Sequence, residues 1–121
     1  MEERRAFVRL KAPVEAAYTL LPGGARQRTL TRDIGAGGIC LLMEKPVPSG
    51  VQVQLALTLP GREQPVNAMA EVAWSGDVEL VGRSGQRRSA EVGLRTVEIA
   101  PHDQAALAQF VTEGLRPSLA R

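Results

Sequence analysis

The chain has 121 residues, 44% hydrophobic and 23% charged, which is the size of one domain with one core and an ordinary globular composition. Its single cysteine, Cys40, and single histidine, His102, exclude an intrachain disulfide, a Cys/His zinc site and most nucleophile–histidine arrangements. The net charge is only +2, yet residues 1–32 hold seven basic groups against three acidic ones, +4, so the remaining 89 residues sum to −2.

An electropositive N-terminal third suits an anionic partner. A GC-rich genome accounts for thirteen Arg against two Lys, but not for their crowding at one end. No apolar run approaches the ~18 residues of a membrane span. No apolar leader core follows Met1-Glu2-Glu3-Arg4-Arg5. A cytoplasmic protein with no membrane insertion is expected.

In chain order, residues 1–11 read as a flexible, arginine-rich arm closed off by Pro13. A first strand runs from Val14 to Leu21 and stops at Pro22-Gly23-Gly24; a second covers Ala25 to Asp33. Gly35-Ala36-Gly37-Gly38 forms a permissive turn, in which glycines can also supply positive φ. Ile39 to Met43 is an apolar strand ended by Pro46 and Pro48.

Val51 to Leu59 places apolar residues on every odd position, the period that turns one face of a strand into a core. Val66 to Trp74 follows after Pro60-Gly61, and Ser75 to Arg88 reads as a polar loop or irregular hairpin. Ala90 to Ile99 is a sixth strand whose apolar phase slips before Val97, the mark of a bulge. Leu107, Phe110, Val111 and Leu115 then switch to a helical period, giving a helix near 101–114 that starts at Pro101 and is capped by Gly114. Six short strands and one helix predict a small antiparallel β-barrel occupying residues 12–116, with 117–121 as a tail.

Two segments stand out from this scaffold. Arg4-Arg5-Ala6-Phe7-Val8-Arg9 packs three guanidiniums into six residues, and Asp33-Ile34-Gly35-Ala36-Gly37-Gly38 follows a carboxylate with an almost side-chain-free turn. Residues 10 to 32 separate them, a length that one hairpin spans. An arginine fork matches phosphate or the O6/N7 edge of guanine, and its flat face stacks on a base. A carboxylate accepts from the N–H edge of guanine, and glycines let backbone approach a bulky ligand. The combination points to an anionic, guanine-like ligand.

At these residues the chain resembles the PilZ domains, bacterial receptors for cyclic di-GMP, whose signature is RxxxR followed after some 20–30 residues by [D/N]xSxxG. Arg5-Ala6-Phe7-Val8-Arg9 matches the first half, with Arg4 as the frequent extra arginine, and Asp33 and Gly38 match the second. The Val72-Ala73-Trp74 and Glu91-Val92-Gly93-Leu94 stretches, the strand order and the terminal helix are similar as well.

The resemblance implies a six-stranded, PilZ-like split β-barrel with a C-terminal helix, whose arm folds over cyclic di-GMP. Arg4, Arg5 and Arg9 would contact phosphates and guanine, Asp33 a guanine edge, and Gly38 would keep the turn open. Trp74 would border a guanine face. Gly35 stands where the signature has Ser. A lost hydrogen bond of about 0.5–1.5 kcal/mol lowers affinity roughly 2- to 12-fold.

The expected function is that of a receptor or adaptor that signals to an unidentified protein effector through its arm. The alternative is a degenerate PilZ interaction module, for pilus assembly or motility, that binds no nucleotide. Four aromatics in total, Phe7, Tyr18, Trp74 and Phe110, are too few for a stacking platform on a nucleic-acid polymer. No acid–base, metal or cofactor set is legible, so no enzymatic activity is expected.

Overall fold

The computed structural model describes residues 9–35, 37–82 and 85–115, and for 78–88 the backbone alone. Its elements are β1 (Arg9–Leu10), β2 (Glu15–Leu21), β3 (Gln27–Gly35), β4 (Gly38–Met43), β5 (Gln52–Thr58), β6 (Val66–Gly82), β7 (Gly85–Ile99) and α1 (Pro101–Leu115). Six antiparallel strands form a ring in the order β3-β2-β5-β6-β7-β4, closed by the β3–β4 pairing. The short β1 is an additional outer strand, paired with β3 through Arg9↔Gly35 and Leu10↔Ile34. Arg9 and Leu10 of the expected arm thus belong to the sheet, and its residues 1–8 lie outside the described residues.

The alternation in β5 explains why the barrel closes around one core. Val53, Leu55 and Leu57 are buried while Gln52, Gln54 and Thr58 face water. On β4, Ile39, Leu41 and Met43 point the same way, and β7 contributes Ala90, Val92 and Leu94. Each large side chain so buried is worth about 1.5–3 kcal/mol.

The turns follow their glycines. Gly23 and Gly61 adopt φ of +83°, the region a side chain disfavours, in the two Pro-Gly turns read from the sequence.

Three irregularities in the ladder matter. The slip expected near Val97 is present, since Met69 pairs with Glu98 and Ala70 with Thr96. A second falls at Ala73, between Val72↔Leu94 and Trp74↔Gly93. The third sits on β3 between Thr31 and Asp33. Each extra residue disturbs the ladder locally and re-aims its neighbours.

Of the two readings of Ser75 to Arg88, a loop or an irregular hairpin, the described residues bear out the hairpin. β6 and β7 stay in register from Ser75↔Val92 out to Gly82↔Gly85. β5 leaves β6 at Glu71, and β4 leaves β7 at Ala90, so the outer part of this hairpin is a two-stranded ribbon.

The helix closes the end of the barrel reached by β1. Leu107 and Val111 enter the core, while Leu115, expected on the same face, is 42% exposed. Asp103 is buried in the first turn, and its Oδ2 accepts from the Asn67 amide at 3.3 Å, tying α1 to the start of β6. Gly114 is not a cap: it lies within α1, and any side chain there would run into Leu10. Among the described residues no helix is long and apolar enough to cross a membrane.

Candidate functional site

The site begins with a threonine. Thr31 turns into the barrel, where its hydroxyl accepts from the Val14 amide at 2.9 Å and donates to the Ala12 carbonyl at 2.6 Å. The Thr31 amide donates in turn to the Val14 carbonyl at 3.0 Å. These bonds pin residues 12–14 against β3 and so set where Arg9, just upstream, can lie.

Immediately after Thr31 the β3 bulge turns Arg32 and Asp33 outward together. Asp33 forms an ion pair with Arg9, and Arg32 pairs with Glu91 at 2.7 Å across the intervening β4.

The Arg9 guanidinium rests on Gly38. A Cβ at that glycine would stand 2.9 Å from Arg9 Nη2 and 2.9 Å from the Leu94 carbonyl oxygen. Gly38 lies in strand β4 without positive φ, so its contribution is the missing side chain rather than an unusual backbone. Gly35, buried at the end of β3, faces Arg9 in the register. Four of the sequence-predicted residues, Arg9, Asp33, Gly35 and Gly38, therefore meet at one end of the barrel. Arg4 and Arg5 lie outside the described residues.

Trp74 shares the outward face but stands three strands away. The register runs Asp33↔Cys40, Cys40↔Gly93 and Gly93↔Trp74, a row across β3, β4, β7 and β6. At ~4.8 Å per strand the row is about 14 Å wide, the breadth of a nucleotide rather than of a small ion. The indole lies flat over Gly93, whose missing Cβ makes the room, and the side of the ring away from the sheet is open, the residue being 47% exposed.

Beside it Arg95 donates to Glu71 at 2.6 Å, and Arg95 pairs with Gly38 in the β4–β7 register. Gly93, Arg95 and Glu71 were not read as site residues. A glycine inside a strand pattern is the one available signal, since it marks a close approach by another group.

Beneath this face Cys40 is buried, and its thiol is pushed up to about 11. Burial is the main cause; the Asp33 and Glu91 carboxylates raise it further, and Arg32 and Arg9 offset part of the effect. The thiol stays protonated near neutrality and acts as floor, not as nucleophile.

Among the described residues no group of three His, Cys, Asp or Glu side chains could hold a metal ion. The arrangement offers instead guanidinium forks, a carboxylate acceptor, a bare glycine floor and an aromatic plane.

The opposite end of the barrel holds a different feature. A cleft of about 410 Å³ opens between the β2–β3 and β4–β5 connections, lined mainly by Tyr18, Leu20, Met43, Val47 and Val51, with Glu44 and Lys45 also on its walls. The Tyr18 phenol is raised above its ordinary value by burial and then by Glu44. None of the predicted site residues lines this cleft.

The PilZ domain family matches residues 3–113 of the chain. The chain belongs to the PilZ family.

Solved PilZ structures share its fold. The PilZ domain of YcgR from Escherichia coli, solved with c-di-GMP, has a TM-score of 0.72 at 18% identity, over 92% of this chain and 91% of that one. The Bacillus subtilis inhibitor of motility, MotI/DgrA, aligns at 27% identity with a TM-score of 0.69, over 93% of this chain and 51% of that one. MrkH, described as a c-di-GMP-dependent transcription regulatory factor, aligns at 13% identity with a TM-score of 0.75, over 92% of this chain and 51% of that one. This PilZ chain thus spans about half the length of MotI and MrkH. No curated protein matches it.

Proposed function

We propose that this PilZ protein is a cyclic di-GMP receptor, with its site on the outer barrel face around Gly38. The observation that carries the reading is the Arg9–Asp33 pair seated on Gly38. It brings into contact two signature halves that the chain separates by 23 residues.

Arg9 presents its fork to a phosphate or to the O6/N7 edge of one guanine, and Asp33 accepts from the N–H edge of a guanine. Gly38 leaves the room in which the Arg9 guanidinium sits, Gly35 stands opposite Arg9 in the register, and Trp74 offers a plane for a purine face. Arg4 and Arg5 complete the basic set from the arm. Ligand capture orders the arm over the ligand, and the changed surface is read by a protein effector. The chain needs no cofactor for this and performs no chemistry of its own. It acts as an adaptor in the bacterial cytoplasm.

Gly35 in place of Ser gives weight to the second reading, a PilZ interaction module without nucleotide. The missing hydroxyl removes one ligand hydrogen bond, and the Arg9–Asp33 pair already satisfies both charges before any ligand arrives.

Calorimetric titration with cyclic di-GMP, beside Arg5→Ala and Asp33→Ala, separates the two. Micromolar or tighter binding lost in both variants establishes the receptor, and the molar ratio gives the ligand stoichiometry. Absence of heat in the unmodified protein supports the interaction module.

A further inference from the structure

Two arginine–carboxylate pairs, not one, flank Gly38. Arg9–Asp33 stands on the β3 side and Arg95–Glu71 on the β7–β6 side. Arg95 faces Gly38 in the register, and Glu71 faces Arg95. On β7 Arg95 lies two residues from Gly93, hence on the same face, next to the indole of Trp74 that covers Gly93.

The third outward pair, Arg32–Glu91, differs in kind. It crosses β4 and bounds the face on the side away from Gly38, whereas Arg95 and Glu71 come from neighbouring strands and leave β4 bare. Arg95 is also the more available cation, with 60% of its side chain exposed against 42% for Arg9.

We infer that Arg95 is a ligand-binding arginine of the same site and that Glu71 is its built-in competitor. The inference rests on the cyclic di-GMP reading above. Arg95 and Trp74 form the second wall of the row: the indole takes a purine face, and the guanidinium takes the adjacent phosphate or guanine O6/N7 edge.

To do so the guanidinium must turn from the Glu71 carboxylate toward the ligand. An exposed ion pair is weak enough to be exchanged in this way. Glu71 lowers affinity twice, by holding the donor and by adding negative charge beside an anionic ligand. The wall is therefore present in the unliganded protein but partly occupied by one of its own side chains.

Trp74 is the chain's single tryptophan, so its fluorescence reports occupancy of this wall directly. Cyclic di-GMP is titrated into the unmodified protein, Arg95→Ala, Arg95→Lys, Glu71→Gln and the Glu71→Gln/Arg95→Ala double variant. Fluorescence and calorimetry are recorded on each, with thermal melts as folding controls.

Arg95→Ala is expected to weaken binding about 10-fold, the loss of one charge-assisted hydrogen-bonding group at an exposed site. Arg95→Lys, which keeps the charge but not the fork, falls between. Glu71→Gln is expected to tighten binding roughly 2- to 5-fold by freeing Arg95 from an exposed pair, and the double variant loses that gain.

Binding by the unmodified protein with Arg95→Ala within twofold of it, or with Glu71→Gln no tighter, overturns the role of Arg95 and Glu71 alone. Absence of binding by the unmodified protein in both readouts overturns the receptor reading and this inference with it.

Discussion

The two ends of the barrel present opposite solutions to having a surface feature. The cleft between the β2–β3 and β4–β5 connections has volume, about 410 Å³, and mostly apolar walls. The face around Gly38 has ordered charge instead, with two carboxylate–guanidinium pairs over glycines and an indole to one side. Recognition of a polyanionic nucleotide depends on placed donors and acceptors more than on enclosed space. The proposed function therefore assigns the ligand to the face with chemistry rather than to the end with room.

Disabling each end of the barrel in turn separates their roles. Asp33→Ala removes a charged acceptor and leaves Arg9 unpaired. It should cost about 1.5–3 kcal/mol of binding, or roughly 12- to 150-fold in affinity for cyclic di-GMP by calorimetry. Leu20→Ala in the cleft should leave affinity within about twofold. A reversed pattern would place the ligand at the other end.

Alkaline unfolding compares the two ends through their buried acids. Cys40 has its thiol raised from an ordinary value near 9 to about 11, so the folded state holds that proton more tightly than the unfolded chain does. Its contribution is full below about pH 9 and declines as pH rises toward 11, by on the order of 2 kcal/mol. Tyr18, also raised, adds a decline of the same sign beginning near pH 10. Denaturant titrations between pH 8 and 11 should show Cys40→Ser flattening the earlier fall and Tyr18→Phe the later one. Identical pH curves for the variants and the unmodified protein would contradict both assignments.

The smallest effect sharpens the reading of the signature. Gly35→Ser restores the expected hydroxyl and should gain about 0.5–1.5 kcal/mol, a 2- to 12-fold tighter dissociation constant in the same titration.

Much of the fold was legible because its signals are local. The alternation of Val53, Leu55 and Leu57, the two Pro-Gly turns and the helical spacing of Leu107 and Val111 each lie within a few residues. What escaped depends on the exact register of paired strands. The polar stretch from Ser75 to Arg88 reads equally as a loop or an irregular hairpin, and only the β6–β7 ladder decides between them.

The candidate site divides the same way. The motif residues Arg9, Asp33 and Gly38 were visible as types at a spacing. Arg95 and Glu71 are paired only because β7 lies beside β6 in one particular register, which a slip of one residue would turn to the other face. Gly114 shows the same limit, for it reads as a helix stop but serves as the place where Leu10 fits.

That contact has a topological consequence. Because Leu10 rests on Gly114, the earliest strand and the last turn of the helix are already neighbours. A short peptide bridge could join those two ends, and new termini could be cut at the exposed Pro22–Gly24 turn, leaving every barrel strand intact. In such a circular permutant the arginine-rich segment would be tethered at both ends instead of one.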